Sequence, residues 1–240
     1  MTRVATSILV ATTLAMISTD TAAMGLRSFV ALPLEKNGTV LRLFDVYNFD
    51  RDINGLTTSL AYGLSGKQTL FLSLPYRISP SGPDRFGDVN LLYRHVVWQV
   101  DDNSGTSRLG LLGGVAIPTD KRRDVGAEVG AVATFYHQRH EWDLDALWVQ
   151  GLDNAPNAAR YDVSWQYRLT PAHYPEWGQA SEWDVVLELN GRWAEGGTMV
   201  HQVTIGLQWI HRRWVLEGGF VQDLNGPQES RLLVGTRIHF

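Results

Sequence analysis

From residue 39 to the last residue the chain alternates apolar and polar positions with the two-residue period of an extended strand, broken at intervals by turn-rich stretches. The clearest run is 161–169. Tyr161, Val163, Trp165, Tyr167 and Leu169 point one way, and Asp162, Ser164, Gln166 and Arg168 point the other. Residues 183–193 repeat the pattern, with Val185, Leu187 and Leu189 on the apolar face and Asp184, Glu188, Asn190 and Arg192 opposite. In 203–209, Ile205 and Leu207 alternate with Thr204, Gly206 and Gln208. In 69–77, Leu70, Leu72, Leu74 and Tyr76 alternate with Thr69, Ser73 and Arg77. The last ten residues place Leu232, Val234, Thr236, Ile238 and Phe240 on one face and Arg231, Leu233, Gly235, Arg237 and His239 on the other. Further compatible segments are 39–49, 55–63, 86–98, 107–117, 126–138, 141–150 and 213–223.

Strands that are greasy on one face and charged on the other, all through the chain, fit a sheet closed on itself in lipid. Hydrocarbon takes the apolar face, a polar lumen takes the charges, and closure leaves no unpaired backbone. The expected fold is therefore all-β: a single closed antiparallel transmembrane β-barrel of about twelve strands over residues 39–240. A soluble β-sandwich with one wet face would carry far fewer aromatic residues outside. Here Trp98, Trp142, Trp148, Trp183, Trp193, Trp209 and Trp214 fall at or near strand ends, where indole rings favour the water–lipid boundary.

Turn lengths orient the barrel. The tight junctions at Gly66-Lys67, His140-Glu141 and His211-Arg212 are expected in the periplasm with both termini, and the longer stretches 79–86, 118–125, 151–160 and 223–230 outside. Two further junctions on the periplasmic side, 99–107 and 171–181, read as long. A terminal aromatic such as Phe240 is also expected to act as an assembly signal for the bacterial barrel-assembly machinery.

The chain opens differently. Met1-Thr2-Arg3 is a short basic start, residues 4–17 are apolar, and Thr21-Ala22-Ala23 offers small residues for a signal peptidase, so residues 1–23 read as a cleaved signal peptide. Residues 24–38 form an N-terminal segment with three placements open: a periplasmic lead-in, a plug in the lumen, or an extra strand. Pro33 disfavours a central strand.

Composition narrows the class. No run approaches eighteen apolar residues, which excludes a helical membrane protein, and a mean hydropathy of -0.14 suits a barrel with a polar interior. The chain has no cysteine, so no disulfide framework supports it. Its net charge of -4 gives no basic footprint for nucleic acid.

Several stretches occur in an order that resembles a known family. They are Ala61-Tyr62-Gly63-Leu64, Leu72-Ser73-Leu74-Pro75-Tyr76-Arg77, Phe86-Gly87-Asp88-Val89-Asn90-Leu91 with Tyr93-Arg94, residues 111–120 ending Ile117-Pro118-Thr119-Asp120, Leu187-Glu188-Leu189-Asn190, and Val203-Thr204-Ile205-Gly206-Leu207-Gln208-Trp209. Together they resemble the transporter-like outer-membrane family named after the meta-pathway of phenol degradation. One departure is Asp120, where the family commonly has glycine after Pro-Thr. The resemblance implies a small barrel giving passive passage to small hydrophobic or aromatic solutes, with no cofactor and no catalytic residue.

Alternation assigns the lumen-facing candidates: Arg77, Asp88, Arg94, Arg108, Glu128, Asp162, Arg168, Asp184, Glu188, Asn190, Arg192, Glu217 and Arg237, with Arg231, Asp143 and Asp145. Val186 faces the same interior, where a change to Thr is expected to be mild. The near balance of signs predicts extensive pairing, with Glu188 and Arg168 facing the same interior. A lumen sealed by ion pairs, in a barrel serving envelope structure or surface interaction, is the rival reading. Enzyme chemistry has little support, because none of the seven His has a Ser within two positions. Asp101-Asp102 reads as a solvated turn, and His137, His140 and Glu141 as a polar hairpin rather than a metal site. Asp45 falls on the lipid face, where a bulge or burial is expected. The run Asp120-Lys121-Arg122-Arg123-Asp124 sits in an outer loop. Expected partners are outer-membrane lipid and lipopolysaccharide, in the outer membrane of a Gram-negative envelope.

Overall fold

A computed structural model describes residues 25–103, 105–120, 122–153, 155–173 and 181–240; the signal-peptide assignment, 1–23, lies outside the described residues. Twelve strands run in order: β1 (Thr39–Asn48), β2 (Ile53–Ser65), β3 (Gln68–Ser79), β4 (Val89–Asp102), β5 (Gly105–Ile117), β6 (Gly126–His137), β7 (His140–Gly151), β8 (Ala158–Thr170), β9 (Glu182–Ala194), β10 (Val200–His211), β11 (Trp214–Asp223) and β12 (Ser230–His239). Each pairs antiparallel with its sequence neighbours, and β1 pairs with β12 to close the barrel. At the seam, Phe240 N–H donates to the Thr39 carbonyl at 2.8 Å, so pairing reaches the last residue of the sequence.

The faces follow the alternation. On β8, Arg160, Asp162, Ser164, Gln166 and Arg168 are buried inside, while Trp165, Tyr167 and Leu169 face out. The exposed large apolar side chains, among them Leu187, Leu189, Ile205, Leu207, Leu232 and Val234, form the outer belt. A soluble protein would not leave such a patch in water, whereas lipid solvates it at no cost.

Aromatic pairs gird the belt at both ends. Trp142–Trp165 and Trp183–Trp209 lie near the end where β1 begins and β12 finishes, and Trp148–Trp193 and Phe49–Phe220 near the other.

Hairpins β6–β7 and β10–β11 close through two-residue turns. Gln138 (φ 57°) and Arg212 (φ 54°) adopt the left-handed conformation such turns require. The connection between β8 and β9, 171–181, is long and lies at this same end, with 174–180 outside the described residues. The other longer connections lie at the opposite mouth, and charge ties two of them together. Arg122 bridges Asp84 and Asp120, and Arg123 pairs with Asp88. The Arg122 guanidinium holds the Asp120 carboxyl down at about 2, so this part of the charge run is paired within the loops.

Three sequence expectations need correction. The 99–107 junction is not long: β4 extends to Asp102 and β5 begins at Gly105, so Asp101 and Asp102 are strand residues. Asp101 pairs with Arg108 at 2.9 Å across that hairpin. Of the two expectations for Asp45 the bulge is absent and partial burial holds: it keeps the outward register opposite Val234 and Leu56, half-buried beside the Asn54 side chain.

Leu187 lies midway along β9 on the lipid face. Leu187→Arg should destabilise the folded barrel in lipid vesicles by about 2–4 kcal/mol, read by reversible denaturant unfolding. A loss under about 0.5 kcal/mol, the range of an inconsequential surface change, would contradict the outward register of β9.

Candidate functional site: the lumen and the segment inside it

The lumen has two unlike sides. Strands β2 to β7 contribute Ala61, Phe71, Leu92, Leu112, Val132 and Leu147, which form one apolar cluster. Strands β7 to β10 contribute buried Asp143, Asp145, Asp162, Ser164, Gln166, Glu188, Asn190, Thr204 and Gln208.

Residues 25–31 lie between these sides as an irregular, fully buried segment. No strand is assigned over 25–38, so this stretch adds none to the sheet. Phe29 and Ala31 join the apolar cluster. Leu26 packs with Phe44 of β1 and with Val186, Val221 and Leu233 of β9, β11 and β12. Glycine makes room for Leu26: a Cβ at Gly206 or Gly219 would stand 2.4 or 2.6 Å from its Cδ1. Val186 therefore sits in an apolar contact rather than in a polar channel, and a hydroxyl there would be buried among methyl groups.

Because the segment is not paired as a strand, side chains of the wall satisfy its backbone. Glu188 Oε1 accepts from Arg27 N–H (3.1 Å), Ser28 N–H (3.3 Å) and Ser28 Oγ (3.3 Å). Phe29 N–H donates to Asp145 Oδ2 (2.8 Å), and Ala31 N–H to Thr134 Oγ1 (2.8 Å). In the other direction, Arg42 donates to the Leu26 carbonyl (2.6 Å), and Arg94 donates to the Val30 carbonyl and to that of Leu32 (2.7 Å). Arg27 reaches Gln202 (2.7 Å) and Asn190 (3.3 Å).

Ion pairs fill the space around this core. Glu217 joins Arg42 (2.7 Å) and Arg237 (2.9 Å), and Asp162 joins Arg192 (2.7 Å) and Arg160 (3.2 Å). Near the long-loop mouth, Arg231 bridges Asp223 (2.9 Å) and Glu229. Buried charges persist only when paired or richly hydrogen-bonded, and most of these are. Asp143, Asp162, Ser164, Asn190, Thr204 and Val186 have no solvent-accessible surface, so no water-wide path runs past them at this level.

Of the lumen-facing candidates, Arg94, Glu128, Asp162, Arg168, Asp184, Glu188, Asn190, Arg192, Glu217 and Arg237 are buried on inward strand positions. Arg77 and Arg108 hold the inward register nearer the rims, Arg77 donating to the Pro83 carbonyl. Asp88 is corrected: it precedes β4, in the loop, where it pairs with Arg123 instead of lining the wall. Glu188 and Arg168 share the interior without bonding to each other. Arg168 lies opposite Asp184 and bonds to Tyr136 and the Gln138 carbonyl, while Glu188 holds the inner segment. Phe240 is exposed on the outside at the seam.

Sequence reasoning missed Arg42, Arg160, Asp223 and Glu229. Arg42 was legible, since it alternates with Leu41 and Leu43; the other three stood in or beside turn-rich stretches. Among the described residues, no group of three His, Cys, Asp or Glu is arranged to hold a metal ion.

The closed antiparallel barrel and its lipid-facing belt define a transmembrane β-barrel. Among solved structures the chain is similar to an outer-membrane channel from Pseudomonas putida F1 (TM-score 0.57, 16% identity, covering 88% of this chain and 98% of that one). It is also similar to the NanC porin (TM-score 0.56, 9% identity, covering 82% and 98%). At such identities the likeness is one of fold. No protein-family model and no curated protein matches the sequence.

Glu188 is the common acceptor for Arg27 and Ser28, so Glu188→Ala removes the carboxylate to which two buried N–H groups donate. At about 1–3 kcal/mol for each lost partner, amide exchange at residues 27–29 should speed up by roughly tenfold or more while the strands stay protected. Unchanged exchange there would show that the segment is held by something else.

Proposed function

We propose that this protein is an outer-membrane barrel giving passive passage to small hydrophobic or aromatic solutes, with residues 25–34 as a plug that must shift for passage. The observation that carries this reading is the seat of Phe29. The lumen already accommodates an aromatic ring, against Phe71 at 6.1 Å between centroids and under the Arg160 guanidinium at 4.4 Å. A plug held by separate hydrogen bonds and two apolar anchors can leave without unpairing any strand, since none of its bonds belongs to the barrel ladder.

The barrel fold and the motif resemblance to the meta-pathway family support the same reading. Location in the outer membrane, export by a signal peptide, recognition of Phe240 by the assembly machinery and contact with lipopolysaccharide complete the proposal. One observation favours the rival, a sealed non-transporting barrel: mid-lumen residues such as Asp143 and Ser164 are wholly shielded from solvent.

Planar-bilayer conductance and uptake of phenol into proteoliposomes separate the two. Leu26→Ala with Phe29→Ala removes both apolar anchors, each worth about 2–5 kcal/mol of packing. The double variant should conduct more often and pass phenol faster than the parent. If neither protein conducts nor passes phenol above protein-free vesicles, the sealed barrel is the correct reading.

A further inference from the structure

The same seat holds a second group whose chemistry names a narrower class of ligand. Arg94 is 1% exposed, and among the described residues it makes no direct ion pair, the Asp143 carboxylate acting on its charge only from beyond contact distance. Its guanidinium lies over the Phe71 ring, with Cζ 5.0 Å from the centroid. It donates to the carbonyls of Val30 and Leu32 and to Thr69 Oγ1 at 2.9 Å. Thus a fully buried cation, of the residue type best suited to bidentate carboxylate binding, is met at two of its nitrogens by neutral carbonyl oxygens of the plug.

The consequence appears when the plug leaves. Phe29 vacates the apolar seat, and Val30 and Leu32 withdraw two acceptors from Arg94 in the same movement. A neutral hydrocarbon could refill the ring seat, but it would leave a buried guanidinium with donors unmet, which is costly. A ligand that brings both a ring and a pair of anionic oxygens replaces everything the plug removes. Five chain atoms, from Phe29 Cβ to Val30 Cα, lie between the Phe29 ring and the Val30 carbonyl carbon, so an aliphatic spacer of up to five carbons between ring and carboxylate fits the arrangement.

We propose that the Phe29 seat and Arg94 together form a binding site for arylalkanoates, an aromatic ring joined by a short chain to a carboxylate, occupied at rest by residues 29–32 of the protein itself. The inference rests on the reading of the inner segment as a displaceable plug, and narrows its solute from aromatic compounds to aromatic acids. Arg94 acts as the anion-binding group, Phe71 and the surrounding aliphatic side chains as the ring seat, and Arg160 as the cation over the ring face.

The test uses the full chain, folded in detergent micelles and checked by heat-modifiable migration. 3-Phenylpropionate, 3-phenylpropanamide and propionate are titrated calorimetrically into the parent and into Phe29→Ala. Removing the competing ring should tighten 3-phenylpropionate binding at least tenfold over the parent. Phe29→Ala should prefer the acid over the amide by at least tenfold and bind propionate weakly.

Adding Arg94→Gln to Phe29→Ala should abolish the acid–amide preference while the amide still binds. Should that variant fail to fold, Arg94→Lys keeps the charge, loses the fork, and should cut the preference several-fold. Equal affinity for acid and amide in Phe29→Ala, or no gain over the parent, overturns the site. Conductance with no acid preference would sink this inference and leave the passage reading intact. Acid preference without conductance would keep the site and sink passage.

Discussion

Closure between β1 and β12 is the constraint from which the remaining structure follows. In hydrocarbon an unpaired N–H or C=O is prohibitively costly, so the sheet must meet itself, and here it does so through to the final residue. Once closed, the barrel has one face in lipid and one in a narrow interior, and every strand must serve both. That is why Leu187 and Glu188, adjacent in sequence, sit in environments as different as a bilayer core and a salt-bridged polar interior.

The interior then has its own accounting. A lumen this narrow cannot keep its charges hydrated, so they must find partners within it. Strand-borne pairs such as Glu217 with Arg42 and Arg237 meet part of that need. The inner segment meets another part. Its amides engage Glu188, Asp145 and Thr134, and its carbonyls engage Arg42 and Arg94. Segment and wall are complementary in apolar shape as well, with Leu26 over glycine and Phe29 beside Phe71. A plug matched this closely stabilises the resting barrel, and its removal exposes groups that a solute must satisfy in turn.

Much of this was legible in the sequence, for a physical reason. Lipid and lumen impose opposite polarity on alternate residues, so phase alone places Asp162, Glu188 and Arg237 inside and Leu187, Leu207 and Val234 outside. Phase fails where strand gives way to loop: Asp88 continues the inward register of β4 yet lies beyond its end, and Arg160 lies inside β8 though its surroundings resemble a turn. The inner segment carries no period, because nothing about it is regular. The amides of Ser28, Phe29 and Ala31 are held by Glu188, Asp145 and Thr134, each more than a hundred residues away, and no local pattern encodes such a match.

The absence of cysteine permits one decisive measurement. Ala31 N–H donates to Thr134 Oγ1 at 2.8 Å, so the two residues are neighbours, and Ala31→Cys with Thr134→Cys is the pair with which to pin the segment to β6 through a disulfide. If residues 25–34 gate the lumen, the oxidised double variant should neither conduct in planar bilayers nor pass an aromatic solute, and reduction should restore both to the level of the parent. Equal passage in the locked and reduced states would contradict gating by this segment.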